Sequence, residues 1–460
     1  MRTRFTWVLG LLGLISIGLL IACGTKYSQS NNGLVVVSSQ GSAVMETFSL
    51  DLNNGSVAQI NNTAGPPTPG LPSAVVLDPA GAFAYVIVTQ NSLITPSSTG
   101  IAVFPVNSDG KLGAASSTAP LTATTATVTA EVDECGTTLP EPVTVTAPVV
   151  PVALAIDSAG KYLFVADSVT TTTAPVTYVC NGASTTVMAP VQVPGTVSVF
   201  AVISGTLTEV TTASSLGTPT PFSVPTGSIG TANLTAVAVT PTVFPALYAV
   251  CSQQSAPTSE NLYVTDEEND TVWEFGVSSS GVLGNPPGDN MVLGFATGTN
   301  PTGIAIDPCN RFVYVADASP NNKISAYTVC NAQVTGTCPL ADGSLVEVSG
   351  SPFSDQGINP GPMTEDAYGK FLYVVNTSGS LAGYTISSVT GGLTAFSPPL
   401  TSTGASPVSI AVRNDDSWLF VANSQSANVS QYSITPANGQ LSALPAFGTT
   451  ADNPFGVAVK

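Results

Sequence analysis

Residues Pro301 to Asp317 read PTGIAIDPCNRFVYVAD. The apolar, β-branched run Ile304-Ala305-Ile306 is broken by Asp307-Pro308, and a second apolar run starts at Phe312, so the stretch predicts two short strands joined by a tight turn. Near-copies recur as PSAVVLDPAGAFAYVIV from Pro72, PVALAIDSAGKYLFVAD from Pro151, PGPMTEDAYGKFLYVVN from Pro360 and PVSIAVRNDDSWLFVAN from Pro407. A degraded copy is split by an insertion into LTAVAVTP from Leu234 and NLYVTDEE from Asn261. After each copy comes a third apolar segment, such as KISAYTV from Lys323, and then a fourth around a Gly-x-Leu step. The repeating unit is a four-stranded meander.

A unit that cannot bury both faces alone stacks on its neighbours and must finally close. Six units are complete, and the chain ends hold the rest of a seventh. LVVVSSQ from Leu34, VMETFSL from Val44 and GSVAQI from Gly55 supply strands two to four, while NPFGVAVK from Asn453 supplies a first strand. Sharing one blade between the chain ends removes the exposed sheet edges. The expectation is an all-β, seven-bladed propeller of four-stranded antiparallel blades over residues 34–460, its C-terminal strand closing the first blade. The repeat runs nearly end to end, which favours one ring, expected to be monomeric, over several domains.

The repeated motif is an Ala-Ile-Asp-like strand end, a Pro-x-Gly turn, Lys or Arg, and then alternating aromatic and aliphatic residues to Val-Ala-Asp or Val-Val-Asn. It resembles the YVTN-repeat and lactonase-like propellers, the family that includes enzymes of the 6-phosphogluconolactonase type. The resemblance covers residues 34–460 and implies the propeller fold. It also implies, as one reading of function, a lactonase-like hydrolase or isomerase acting on a small lactone or sugar derivative.

Composition narrows the function classes. Charged residues make up only 8 % of the chain, with 10 Lys and Arg against 28 Asp and Glu, and removing Arg2 and Arg4 with a leader takes the net charge from −18 to −20. Such a surface repels phosphate backbones, which argues against nucleic acid. There is no histidine, so the Ser-His-Asp arrangement and the commonest metal ligand are both missing. Two Trp, Trp273 and Trp418, remain beyond the leader, too few for the one-per-blade pattern of quinone-dependent propellers.

Arg2 and Arg4 precede an apolar run from Phe5 to Ala22, the charged start and apolar middle of an export signal. Leu20-Ile21-Ala22-Cys23 matches the bacterial lipobox, which implies a signal peptide of residues 1–22, cleavage before Cys23 and acylation of Cys23. Gly24, where Asp would imply inner-membrane retention, points to the outer membrane. Residues 23–33 form a polar, flexible tether.

Six further cysteines, Cys135, Cys180, Cys251, Cys309, Cys330 and Cys338, suit disulfides in an exported chain. Successive turns of a meander alternate between the two faces of the ring, which sorts these cysteines by face. The expected pairs are Cys135 with Cys180, Cys251 with Cys309, and Cys330 with Cys338. Four long interruptions, at about 118–149, 168–194, 211–232 and 241–260, mark where the chain departs from simple closure. The first three emerge on one face. TATVTAEV from Thr125, PVTVTAPVV from Pro142 and TTVMAPVQV from Thr185 alternate like strands and predict a β-ribbon cap.

Among the carboxylates, Asp78, Asp157, Asp307 and Asp366 end first strands and read as caps of their own turns. Asp167, Asp266, Asp317, Asn376 and Asn423 end second strands, either as structural caps or as a polar ring at the channel mouth. The acidic turn Asp266-Glu267-Glu268-Asn269-Asp270 offers Asp266, Glu268 and Asp270 as a calcium candidate, though without the glycine spacing of a calcium loop. Arg311 and Arg413 lie at first-to-second-strand turns, opposite the cap. No nucleophile, base and anion clamp assemble in one place from the repeat. The residues taken alone therefore point to a lipid-anchored binding or scaffold module of the cell envelope, with the lactonase-like enzyme as the alternative. Its ligand, cationic or rich in hydroxyls, is expected on the capped face, at a rim of Glu131, Asp133, Glu134, Glu141, Asp167, Asp266, Glu267, Glu268, Asp270, Asp317, Asn376 and Asn423.

Overall fold

The computed structural model describes residues 32–60, 65–89, 99–130, 141–180, 183–210, 222–224, 232–241, 260–286, 292–318, 320–330, 343–449 and 452–460. Within these, the side chains of 124–130, 141–143, 176–180, 183–185, 187, 189 and 190 are not described. Seven antiparallel sheets form the ring. Blade five shows the plan, with strands Pro301–Ile306, Phe312–Asp317, Lys323–Val329 and Leu345–Glu347 hydrogen-bonded in chain order. Blade one is completed across the chain ends: Pro454–Val459 pairs with Asn32–Ser39, Val36 opposite Ala458. The first strands of the seven blades touch one another in a closed circuit around the axis.

The repeat's chemistry is explained by what each position touches. Asp78, Asp157, Asp307 and Asp366 accept hydrogen bonds from the backbone four residues on, for example Lys370 N to Asp366 Oδ1 at 2.6 Å. The fourth turn residue adopts a positive φ, which selects Gly81, Gly160, Asn310, Gly369 and Asp416. The first aromatic of strand two then lies against a glycine of the next blade's outer hairpin. A Cβ there would come within 2.3–2.6 Å of the ring, as for Gly205 on Phe83, Gly281 on Tyr162, Gly391 on Phe312, Gly439 on Phe371 and Gly55 on Trp418. The second aromatic donates to that hairpin: Tyr314 Oη to Gly391 O and Tyr373 Oη to Gly439 O, both 2.9 Å.

Strand two is apolar on both faces because each face meets a different blade. Phe312, Tyr314 and Ala316 pack toward blade six, and Val313 and Val315 toward blade four. The core is therefore a set of inter-blade layers, which fits a continuous apolar run better than simple alternation. Two hairpins stand outside the ring, Thr124–Ala130 with Glu141–Ala147 and Thr170–Cys180 with Ala183–Val193. They pack against each other.

Candidate functional site

First strands end at seven equivalent positions around the axis: Leu77, Ile156, Val239, Ile306, Glu365, Val412 and Val459. Six are aliphatic and one is a carboxylic acid. The next positions are Asp78, Asp157, Thr240, Asp307, Asp366, Arg413 and Lys460, so the capping Asp gives way to a cation in blades seven and one. Both departures line one cavity of about 600 Å³ on the axis, opening between the first-to-second-strand turns. That volume suits a small-molecule ligand.

Glu365 is 9 % exposed, and neither of its carboxyl oxygens has a hydrogen-bond partner. Burial pushes its pKa well above the ordinary carboxyl range, the nearby Asp307 and Asp366 push the same way, and Arg311 opposes them. In the neighbouring blade, Asp416 takes the positive-φ place that glycine holds in three other blades and accepts from Ala367 N at 2.6 Å. Burial and then the charge of Asp366 raise Asp416 to about 7.

The three cations nearby differ in availability. Arg311 forms a bidentate pair with Asp307, Nε to Oδ2 at 2.8 Å and Nη2 to Oδ1 at 2.6 Å, and Nη2 also donates to Gly369 O at 3.1 Å. Gly369 makes room for this pair, since a Cβ there would lie 2.1 Å from Asp307 Oδ1. Arg311 is thus a stitch between blades five and six and is absent from the cavity lining. Arg413 lines the cavity, paired through Nη1 with Asp415 Oδ2. Lys460 lines it too, with Nζ donating to Pro79 O.

The second-strand ends are placed differently from a rim. Asp167, Asp266, Asp317, Asn376 and Asn423 are all 0 % exposed. Asp266 accepts from Asn233 N at 2.9 Å, Asn269 Nδ2 at 2.7 Å and Trp273 Nε1 at 3.0 Å, and a calcium ion would have to displace these donors. Asp270 accepts from Asn300 N at 2.9 Å, and Glu267 from Asn233 Nδ2 at 3.0 Å. Asp317 accepts from Ser325 Oγ, Asp167 from Ser198 Oγ, and Asn423 donates to Ser430 Oγ; Asn376 faces Asp355. Among the described residues no group of three or more Cys, Asp or Glu is gathered to hold a metal ion.

Glu131, Asp133, Glu134, Cys135, Cys251, Cys338 and Cys23 lie outside the described residues, as do the side chains of Glu141 and Cys180. Cys309 and Cys330 are each 1 % exposed and disulfide-bonded. Glu365, Asp416 and Lys460 are absent from the rim expected from sequence. Their signal is a break in the repeat: PMTED stands where blade five has GIAID, and VAVK ends where other blades have Asp.

A family model described as "Lactonase, 7-bladed beta-propeller" matches residues 341–454. No curated protein matches the chain. Among solved structures, the chain is similar to a protein from Bacteroides fragilis named as a candidate 6-phosphogluconolactonase, with TM-score 0.60, 15 % identity, and 94 % of this chain and 98 % of that one covered. It is similar also to the periplasmic gluconolactonase of Pseudomonas aeruginosa, with TM-score 0.59, 16 % identity, and 93 % and 98 % covered. A third likeness is to a protein from Lactobacillus plantarum, with TM-score 0.58, 16 % identity, and 93 % and 99 % covered. At these identities the shared property is the propeller fold.

Proposed function

We propose that the protein is an exported lactonase-like hydrolase that opens a small lactone at the axial cavity. The observation that carries this reading is Glu365, a buried, unpartnered carboxyl in an otherwise aliphatic ring of the cavity lining, in which Arg413 and Lys460 replace capping Asp. In the ionised form Glu365 takes a proton from a water whose oxygen attacks the lactone carbonyl carbon. The carbonyl oxygen gains negative charge, which the two lining cations stabilise. As the ring C–O bond breaks, the proton on Glu365 passes to the leaving alkoxide, so the hydroxy acid departs and the carboxylate is restored. A raised pKa makes the group a stronger base than an exposed carboxylate.

The leader features and lipobox at Cys23 support export and lipid anchoring, with the outer membrane as destination. The pairs Cys135–Cys180, Cys251–Cys309 and Cys330–Cys338 complete the proposal as bridges of an oxidising compartment, each adding about 2–4 kcal/mol. A second reading, an envelope scaffold that binds a partner on the capped face, is favoured by the two hairpins packed against each other there.

Acid release from a panel of γ- and δ-lactones by the purified chain tests the enzyme. Glu365→Gln should lower kcat by roughly 10²–10⁴-fold with unchanged cooperative unfolding. Equal turnover by this variant, or none by the wild type on any lactone, overturns the assignment.

A further inference from the structure

Resting on the hydrolase reading, we infer that the mouth is built for an uncharged, hydroxyl-rich lactone, and that Asp415 is the specificity-determining residue that excludes anionic ones. The acidic residues of the lining are Asp78, Glu365 and Asp366, and its cations, Arg413 and Lys460, are already engaged with Asp415 and with the Pro79 carbonyl oxygen. Both guanidiniums nearby already face a carboxylate. Arg311 is held bidentate by Asp307 with only 13 % of its side chain exposed. Arg413 is 17 % exposed and paired with Asp415, which is itself 45 % exposed at the rim.

A guanidinium takes a phosphoryl group best through a fork of unshared donors; Arg311 gives both arms of its fork to Asp307, and Arg413 shares Nη1 with Asp415. Asp78, Asp366 and Asp415 all belong to the turns around the mouth, and unscreened carboxylates repel a dianion within a Debye length of about 8 Å. Hydroxyls find the opposite situation. Each first strand pairs on one side only, so the seven inner edges present peptide N–H and C=O groups toward the axis. Thr364 and Asn414 add side-chain donors and acceptors to the lining.

Asp415→Asn separates charge from shape. Asn keeps the oxygen that accepts from Ser417 N at 3.1 Å and removes the charge that holds Arg413. The experiment compares kcat/KM for glucono-δ-lactone and for the same lactone phosphorylated on its terminal hydroxyl, in wild type and variant at low and moderate salt. The wild type should prefer the uncharged lactone at least tenfold. The variant should shift the ratio about fivefold or more toward the phosphorylated one, and added salt should reduce that shift. A wild-type preference for the phosphorylated lactone, or a ratio that Asp415→Asn leaves unmoved, overturns the inference while leaving the hydrolase intact. If the wild type hydrolyses neither, the hydrolase reading falls. Calorimetric binding of both lactones to Glu365→Gln then reads the charge preference without turnover, and equal or tighter binding of the phosphorylated one overturns the inference independently.

Discussion

Asp266 and Glu365 are both buried acids at strand ends of this propeller, on opposite faces of the ring, and their surroundings differ in kind. Asp266 is surrounded by donors from Asn233, Glu268, Asn269 and Trp273; Glu365 has none. Asp266 has Asp or Asn counterparts in four other blades, whereas the counterparts of Glu365 are aliphatic. A polar residue that recurs with the repeat serves the repeat, since every blade must cap the same turn. One that occurs once, without partners, imposes a cost that closure does not require. The crossed substitutions sharpen this most. Asp266→Ala should destabilise the ring by about 2–4 kcal/mol through orphaned buried donors, while turnover per folded molecule stays close to wild type. Glu365→Val, the residue type of neighbouring blades, should instead stabilise by about 1–2 kcal/mol and abolish lactone opening. Thermal unfolding beside acid release reads both, and a destabilised, active Glu365→Val would erase the distinction.

The sequence carried the fold further than the site for a physical reason. Turn geometry and inter-blade packing place the same demands on every blade, so Asp-Pro-x-Gly and the paired aromatics return at each copy and can be counted. The site is made of departures from those demands. Glu365 and Lys460 are visible in PMTED and VAVK, but a repeat-seeking reading absorbs them as imperfect copies. Insertion length marks the capped face, whereas polarity within the first strands marks the other. That Asp307 neutralises Arg311 needed the three-dimensional turn, because sequence spacing alone does not show a bidentate contact.

Recurrent acids of the second-strand ends also titrate out of the ordinary range. Burial raises Asp167 to about 8 despite its bonds from Ser198 and Thr196, and one of its oxygens has no partner. Burial also brings Asp317, Glu260 and Asp416 to about 7. A carboxyl with a raised folded pKa holds its proton longer in the native state than in the unfolded one. The stability it contributes is therefore full below the ordinary carboxyl range and declines as pH rises, here toward about pH 8. Unfolding free energy should fall by several kcal/mol across that window, and Asp167→Asn should flatten its upper end. Lactone opening should follow the opposite course, rising with pH as Glu365 ionises. Stability that climbs from pH 5 to 8 would show that partners outweigh burial at these acids, and that Asp167 and Glu365 are not alike.

The smallest effect isolates partnership from burial within a single repeat position. Tyr85 and Tyr373 are each 0 % exposed and occupy the same place in strand two of blades two and six. Tyr373 Oη donates to Gly439 O of the next blade at 2.9 Å, whereas Tyr85 Oη has no partner. Removing a hydroxyl that is bonded leaves a buried carbonyl short of a donor. Removing one that is unbonded relieves a desolvation cost. Tyr373→Phe should therefore lower stability by about 1 kcal/mol, and Tyr85→Phe should leave it unchanged or raise it by a few tenths of a kcal/mol. Denaturant midpoints at constant m-value separate these outcomes. Equal losses at both positions would mean that burial alone sets the cost of a polar atom in this ring, and the contrast drawn between Asp266 and Glu365 would lose its basis.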